Sequence, residues 1–201
     1  MWEKFRGSAL KILFKIVSVV VVIFWIVFLV CGLWQCAARR YLYPLGYKEE
    51  VFQYADAYGL PRAFVFAVIK TESGFDADAV SRAGAIGLMQ IRENTGRYIA
   101  EKTGVENFDL KDPDTNINFG CFYIKYLRTR FEDASAALAA YNAGEGNVSL
   151  WLMNKEYSDD GKTLKYIPFE ETREYVDKIY ESFGKYKKLY GKLLDKTEKF
   201  E

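Results

Sequence analysis

The chain has 201 residues, half of them hydrophobic, a formal net charge of +1 and no histidine. That length suits one medium domain plus an accessory segment, and the near-neutral balance argues against a nucleic-acid partner bound through bulk charge. Without histidine there is no His metal ligand, no His general base and no triad built on one. Chemistry falls to carboxylates, Tyr, Lys, Ser or Cys. The cysteines Cys31, Cys36 and Cys121 supply neither a disulfide framework after Arg40 nor a CxxC metal spacing. Cys121 reads as a small buried hydrophobe. No cofactor and no metal are expected.

Residues 1–15 read as a cytoplasmic segment and 16–36 as a transmembrane signal anchor. From Ile16 to Trp34 no residue is charged, and this run approaches the ~20 residues that cross a bilayer core as a helix. Lys4, Arg6, Lys11 and Lys15 stand against Glu3 on the near side, which places the N-terminus inside and the remaining chain outside. Arg39 and Arg40 pull the other way. Cys36-Ala37-Ala38 loosely resembles a cleavage site, so secretion after signal cleavage is the alternative, although the apolar run exceeds a usual signal h-region.

After a connector over 37–47, one mostly α domain is expected over 48–194, then a tail over 195–201. Val51, Tyr54, Ala55 and Tyr58 fall at helical spacing before a stop at Gly59,. Pro61 opens the next helix, in which Val65, Val68, Ile69 and Glu72 share one face,. Asp112-Pro113 caps a helix through Ile117, Cys121, Ile124 and Phe131, and Asp133 caps another ended by Gly144,. A last helix runs from about Glu170 toward Leu194, with Tyr175, Ile179, Phe183, Tyr186 and Tyr190 on its apolar side. Its lysines read as a solvated face, or as a contact with an anionic wall or membrane. No alternating pattern is long enough for a real sheet.

Glu72 ends a buried-looking helix. Burial and the negative end of the helix dipole both disfavour its charged form, which is the direction a general acid near neutral pH requires. The small residues Gly74, Gly84, Ala85 and Gly87 that follow would let backbone come close to a ligand.

Glu72-Ser73, then Gly84-Ala85-Ile86-Gly87-Leu88-Met89-Gln90, then Ala139-Ala140-Tyr141-Asn142-Ala143-Gly144, then Ile167-Pro168-Phe169 with Glu171-Thr172-Arg173 and Tyr175-Val176 together resemble the soluble-lytic-transglycosylase domain. The blocks keep the family's order and span roughly residues 50 to 185. The resemblance implies a lysozyme-like, goose-type all-α fold that cleaves the glycan strands of peptidoglycan, with Glu72 as the lone catalytic acid/base. It implies that Ser73 supports the helix end, that Ser81, Gly84 and Gln90 meet the sugars, that Tyr141 and Asn142 line the cleft, and that Glu171 is a cleft acid with Tyr166 close by. A core aromatic, a helix-end cap and a first-turn dipole partner stay open as roles for Tyr141, Asn142 and Glu171.

The chain departs from the family after Gln90, where Arg92-Glu93-Asn94-Thr95 replaces the usual apolar residue and proline. Arg92 has the charge to meet a peptide-stem or lactyl carboxylate. The implied reaction cleaves the β-1,4 bond between N-acetylmuramic acid and N-acetylglucosamine and leaves a 1,6-anhydro end. Lysozyme-type hydrolysis is the alternative and needs a second carboxylate, for which Asp76, Asp78 and Glu93 are the neighbours in sequence. A non-catalytic wall-binding module of an envelope-spanning secretion or conjugation machine is the other.

Overall fold

The computed structural model describes residues 2–194; the expected tail over 195–201 lies outside them. The chain divides after Pro44 into two compact units.

The first unit is helix α1, Trp2–Ala37, followed by a π-helical turn over Ala38–Leu42. The first part of the expected connector is therefore helical. Phe14–Trp34 is long and apolar enough to cross a membrane, and none of it is buried by protein. Its one hydroxyl, Ser18, donates to the Phe14 carbonyl at 2.8 Å, so that hydroxyl is satisfied within the helix.

The second unit holds helices α2 (Lys48–Tyr58), α3 (Arg62–Glu72), α4 (Glu93–Thr103), α5 (Pro113–Arg130), α6 (Ala134–Ala143), α7 (Glu145–Met153) and α8 (Glu170–Leu194). Between α3 and α4 lies a small hairpin, β1 (Ala85–Ile86) antiparallel to β2 (Ile91–Arg92), with Ala85 opposite Arg92. The expected caps form. Asp112 accepts from Thr115 N–H at 2.9 Å, and Asp133 accepts from Ser135 and Ala136 N–H, each at 3.1 Å.

α3 is the central helix. Every residue from Arg62 to Ile69 is buried, and the helix packs against α8, with Phe64 edge-on to Phe183 and Phe66 stacked on Tyr186. The buried Arg62 guanidinium is satisfied by a two-pronged pair with Asp56 at 2.7 and 2.5 Å, beneath which lies the Phe52 ring at 4.0 Å. A charge can stay inside on such terms. The α8 lysines 178, 185, 187, 188 and 192 are exposed, in line with a solvated face.

α4 and α7 are helices not expected from the sequence. α4 carries Gly96 inside it, and Phe108 and Leu110 lie 3.0–3.4 Å from where a Cβ would stand there. α7 is apolar almost all round, yet only Val148 and Trp151 are buried, so it presents no stripe to read.

Candidate active site

Glu72 is the last residue of α3 and opens onto a cavity of about 650 Å³. The walls are the hairpin and the turn before it (Ser81, Arg82, Ala83, Ala85, Gln90, Arg92), Thr95 of α4, Tyr123 of α5, the end of α6 from Ala140 to Gly144, and Glu171 of α8. Some of the Glu72 surface faces this space, but its carboxyl is ringed by protein. Burial raises its pKa to about 7, opposed by a hydrogen bond from Tyr175. The Tyr175 hydroxyl donates to Glu72 Oε1 at 2.5 Å. At neutral pH the group is divided between acid and base forms, and both are useful in a two-step proton transfer.

The hairpin is held against α5 by a buried amide. Asn116, fully buried, accepts from Met89 N–H at 2.7 Å and donates to the Ile86 and Leu110 carbonyls at 2.9 and 2.7 Å. Gly87 sits at φ +78°, and a Cβ there would stand 2.3 Å from the Leu110 carbonyl oxygen. Only glycine fits that approach. Tyr141 donates to the Met89 carbonyl at 2.7 Å, tying α6 to the turn of the same hairpin.

Six residues expected at the site share the cleft: Glu72, Ser81, Gln90, Tyr141, Asn142 and Glu171. Their free valences differ. Gln90 sits at φ +50° and spends its amide on the Gly87 and Ala79 carbonyls at 2.9 and 3.2 Å, so it clasps the loop. Asn142 accepts from Thr172 Oγ1 at 2.7 Å, joining α6 to α8.

Three others stand elsewhere. Ser73 donates to the Leu88 carbonyl at 2.9 Å and accepts from Phe75 N–H at 3.1 Å; it braces the end of α3 without lining the cleft. Gly84, at φ +75°, has open space where a Cβ would go, so the turn needs its conformation rather than its small size. Tyr166 is half exposed and stacks under the Arg173 guanidinium at 5.1 Å, away from the cleft walls. Its ring serves Arg173, which in turn donates to the Ile167 carbonyl at 2.7 Å.

Tyr175 is the contact that sequence reasoning missed. Its place on the apolar stripe of α8 marks it as core, and it is indeed buried; only its hydroxyl reaches Glu72. Among the described residues no group of His, Cys, Asp and Glu is arranged to hold a metal ion. Asp76, Asp78 and Glu93 are not cleft-lining. Asp78 pairs with Lys111 at 3.5 Å and Glu93 with Arg97 at 3.3 Å.

Residues 49–164 match the family model described as "Transglycosylase SLT domain". The chain belongs to the SLT transglycosylase family. It is 33% identical over 162 residues to the soluble lytic murein transglycosylase of Escherichia coli K12, covering 77% of this chain and 25% of that protein. It is 31% identical over 177 residues to the membrane-bound lytic murein transglycosylase C of Haemophilus ducreyi, covering 76% of this chain and 47% of that protein. The solved structure of an inactive glutamate-to-glutamine mutant of lytic transglycosylase Slt from Pseudomonas aeruginosa superposes with a TM-score of 0.64 at 33% identity, over 73% of this chain and 24% of that one. The chain thus spans about a quarter of its soluble relatives and about half of the membrane-bound one. The SLT match ends before α8, yet α8 covers α3 and carries the tyrosine that meets Glu72.

That hydrogen bond favours the charged carboxylate,. Tyr175→Phe is expected to raise the Glu72 pKa further, so the alkaline limb of kcat/KM moves to higher pH while kcat at neutral pH falls several-fold. A pH–rate profile checks it; an unmoved limb would deny Tyr175 any influence on the acid.

Proposed function

We propose that this SLT domain is a peptidoglycan lytic transglycosylase that cleaves the β-1,4 bond between N-acetylmuramic acid and N-acetylglucosamine. The carrying observation is a single buried carboxyl, poised near neutrality by burial and touched by Tyr175, at the floor of a cleft.

The acid form of Glu72 donates its proton to the glycosidic oxygen as the C1–O bond breaks. The 2-acetamido oxygen of the same sugar supports the electron-poor C1. Glu72, now a carboxylate, takes the proton of the sugar's own 6-hydroxyl, whose oxygen closes on C1. Atoms balance without water, and the proton lost by Glu72 is regained. Intramolecular attack has a large proximity advantage over bulk water. Tyr175 stabilises Glu72 in its carboxylate phase, when the base is needed.

Mass spectrometry of the released fragments tests this. Products ending in 1,6-anhydro-N-acetylmuramic acid are expected, one water lighter than hydrolytic ones. Dominant reducing-end muramic acid would instead point to Glu171, the other acid lining the cleft, as partner in a two-carboxylate hydrolysis.

The proposal extends to location. The 21-residue apolar stretch of α1 anchors the chain in the cell membrane, with 1–15 cytoplasmic and the domain facing the wall, as the flanking lysines and Arg6 favour. Protease added to intact spheroplasts is expected to digest residues after Arg40 and spare a small N-terminal fragment. Complete protection would reverse the topology.

A further inference from the structure

Arg82 and Arg92 both line the cleft that holds Glu72, and both are exposed. The backbone fixes where they stand. Arg92 lies in β2 opposite Ala85. Arg82 lies in the adjoining turn, which is closed by Gly84 N–H donating to the Ser81 carbonyl at 3.0 Å and by Ser81 N–H donating to Ala85 at 2.9 Å. Ser81 Oγ accepts from Ala85 N–H at 3.0 Å and stiffens the same turn. Two cations thus come from one short, braced piece of chain on one wall.

Among the described residues neither guanidinium has an ion-pair partner. The acids nearest in sequence are engaged, Glu93 with Arg97 and Asp78 with Lys111. The acids that share the cleft are Glu72 and Glu171, and Glu72 is committed to Tyr175. A lone solvated arginine on a convex surface needs no explanation. Two on one wall of a concave site make that wall locally positive even with Glu171 in the same cleft,, and each offers a planar fork of donors matched to a carboxylate. Neither side chain is needed for the proton transfers above.

We propose that Arg82 and Arg92 form an anion-reading wall that selects glycan carrying a carboxylate close to the scissile bond. The proposal rests on the glycan-cleaving reading of the site. In peptidoglycan such a carboxylate has two sources, the lactyl group of a muramic acid stripped of its peptide, or the stem peptide itself.

The test is binding to the full chain carrying E72Q, in detergent micelles, so that ligands are held without turnover. Three ligands are compared: a neutral N-acetylglucosamine tetramer, glycan strands stripped of peptide by an amidase, and strands that keep it. A carboxylate-bearing ligand is expected to bind more tightly than the neutral one, with an advantage that shrinks as salt rises. Adding R82A and R92A together should weaken the carboxylate-bearing ligand roughly 5- to 20-fold, the scale of one or two accessible charge-assisted contacts. The neutral tetramer should lose far less, and R92K should recover part of the loss through its point charge. Preference for stripped strands assigns the lactyl carboxylate, and preference confined to peptide-bearing strands assigns the stem. Equal weakening of all three ligands would show a structural role and overturn the wall, as would no weakening at all. If the E72Q chain binds none of the three, the glycan reading itself fails and the wall falls with it.

Discussion

Glu72→Gln is expected to lower turnover of purified cell wall by about 10²-fold or more, the range that a positioned general acid–base contributes. Glutamine keeps the shape and can still accept from Tyr175, but it has no proton to deliver to the leaving oxygen and cannot take one from the 6-hydroxyl. Circular dichroism should not change. A second readout follows from the same group. Its pKa is raised from 4.5 to about 7 in the folded chain, so between those values the native state binds more protons than the unfolded one. Stability should therefore be fullest below about pH 4.5 as far as this group is concerned, and decline as pH rises to about 7. Glu72→Gln should flatten that slope. Turnover within a few-fold of the parent would remove Glu72 from the chemistry; a slope that persists unchanged would mean that other groups, not Glu72, set it.

The largest effect on stability is expected from Asn116→Leu. The two side chains are close in volume, but leucine leaves Met89 N–H and the Ile86 and Leu110 carbonyls without their partner in a buried place. Each orphaned group costs about 1–3 kcal/mol, so the sum approaches a large part of the 5–15 kcal/mol that holds a typical domain. A fall of roughly 10 °C or more in Tm is expected at the usual few degrees per kcal/mol. Calorimetry of the detergent-solubilised chain measures it, and a shift of only two or three degrees would show that the hairpin is held mainly by other contacts. Activity should fall with stability, since Met89 is also where Tyr141 ties α6 to the hairpin turn.

Much of the helical frame is readable along the chain because its causes are local. Asp112-Pro113 and Asp133 cap α5 and α6 with their own side chains, and Gly59 closes α2 at φ +67°, as short-range rules require. The spacing of Val65, Val68, Ile69 and Glu72 puts the acid on the buried face of α3 before any tertiary contact is known. α4 and α7 escape the same reasoning. Their helicity follows from packing onto neighbours, which offsets a glycine in one and an apolar surround in the other.

The sequence by itself therefore determined the apolar N-terminal span, the main helices and the family, and it put Glu72 forward as the proposed acid, since composition, periodicity and ordered motif blocks are properties of the chain. It also narrowed the cleft to a few candidates, six of which converge. What only the tertiary structure decided is who touches whom. Tyr175 is 103 residues from Glu72, and Asn116 is 27 from Met89. Nothing in their own neighbourhoods distinguishes a tyrosine that packs from one that also donates to a carboxylate, or an amide that caps from one that pins a hairpin. The same holds for Tyr166 and Ser73, expected among the substrate-binding residues but spent on Arg173 and Leu88. A polar side chain serves whichever partner the fold brings within about 3 Å, and helix–helix packing, not residue type, fixes that distance.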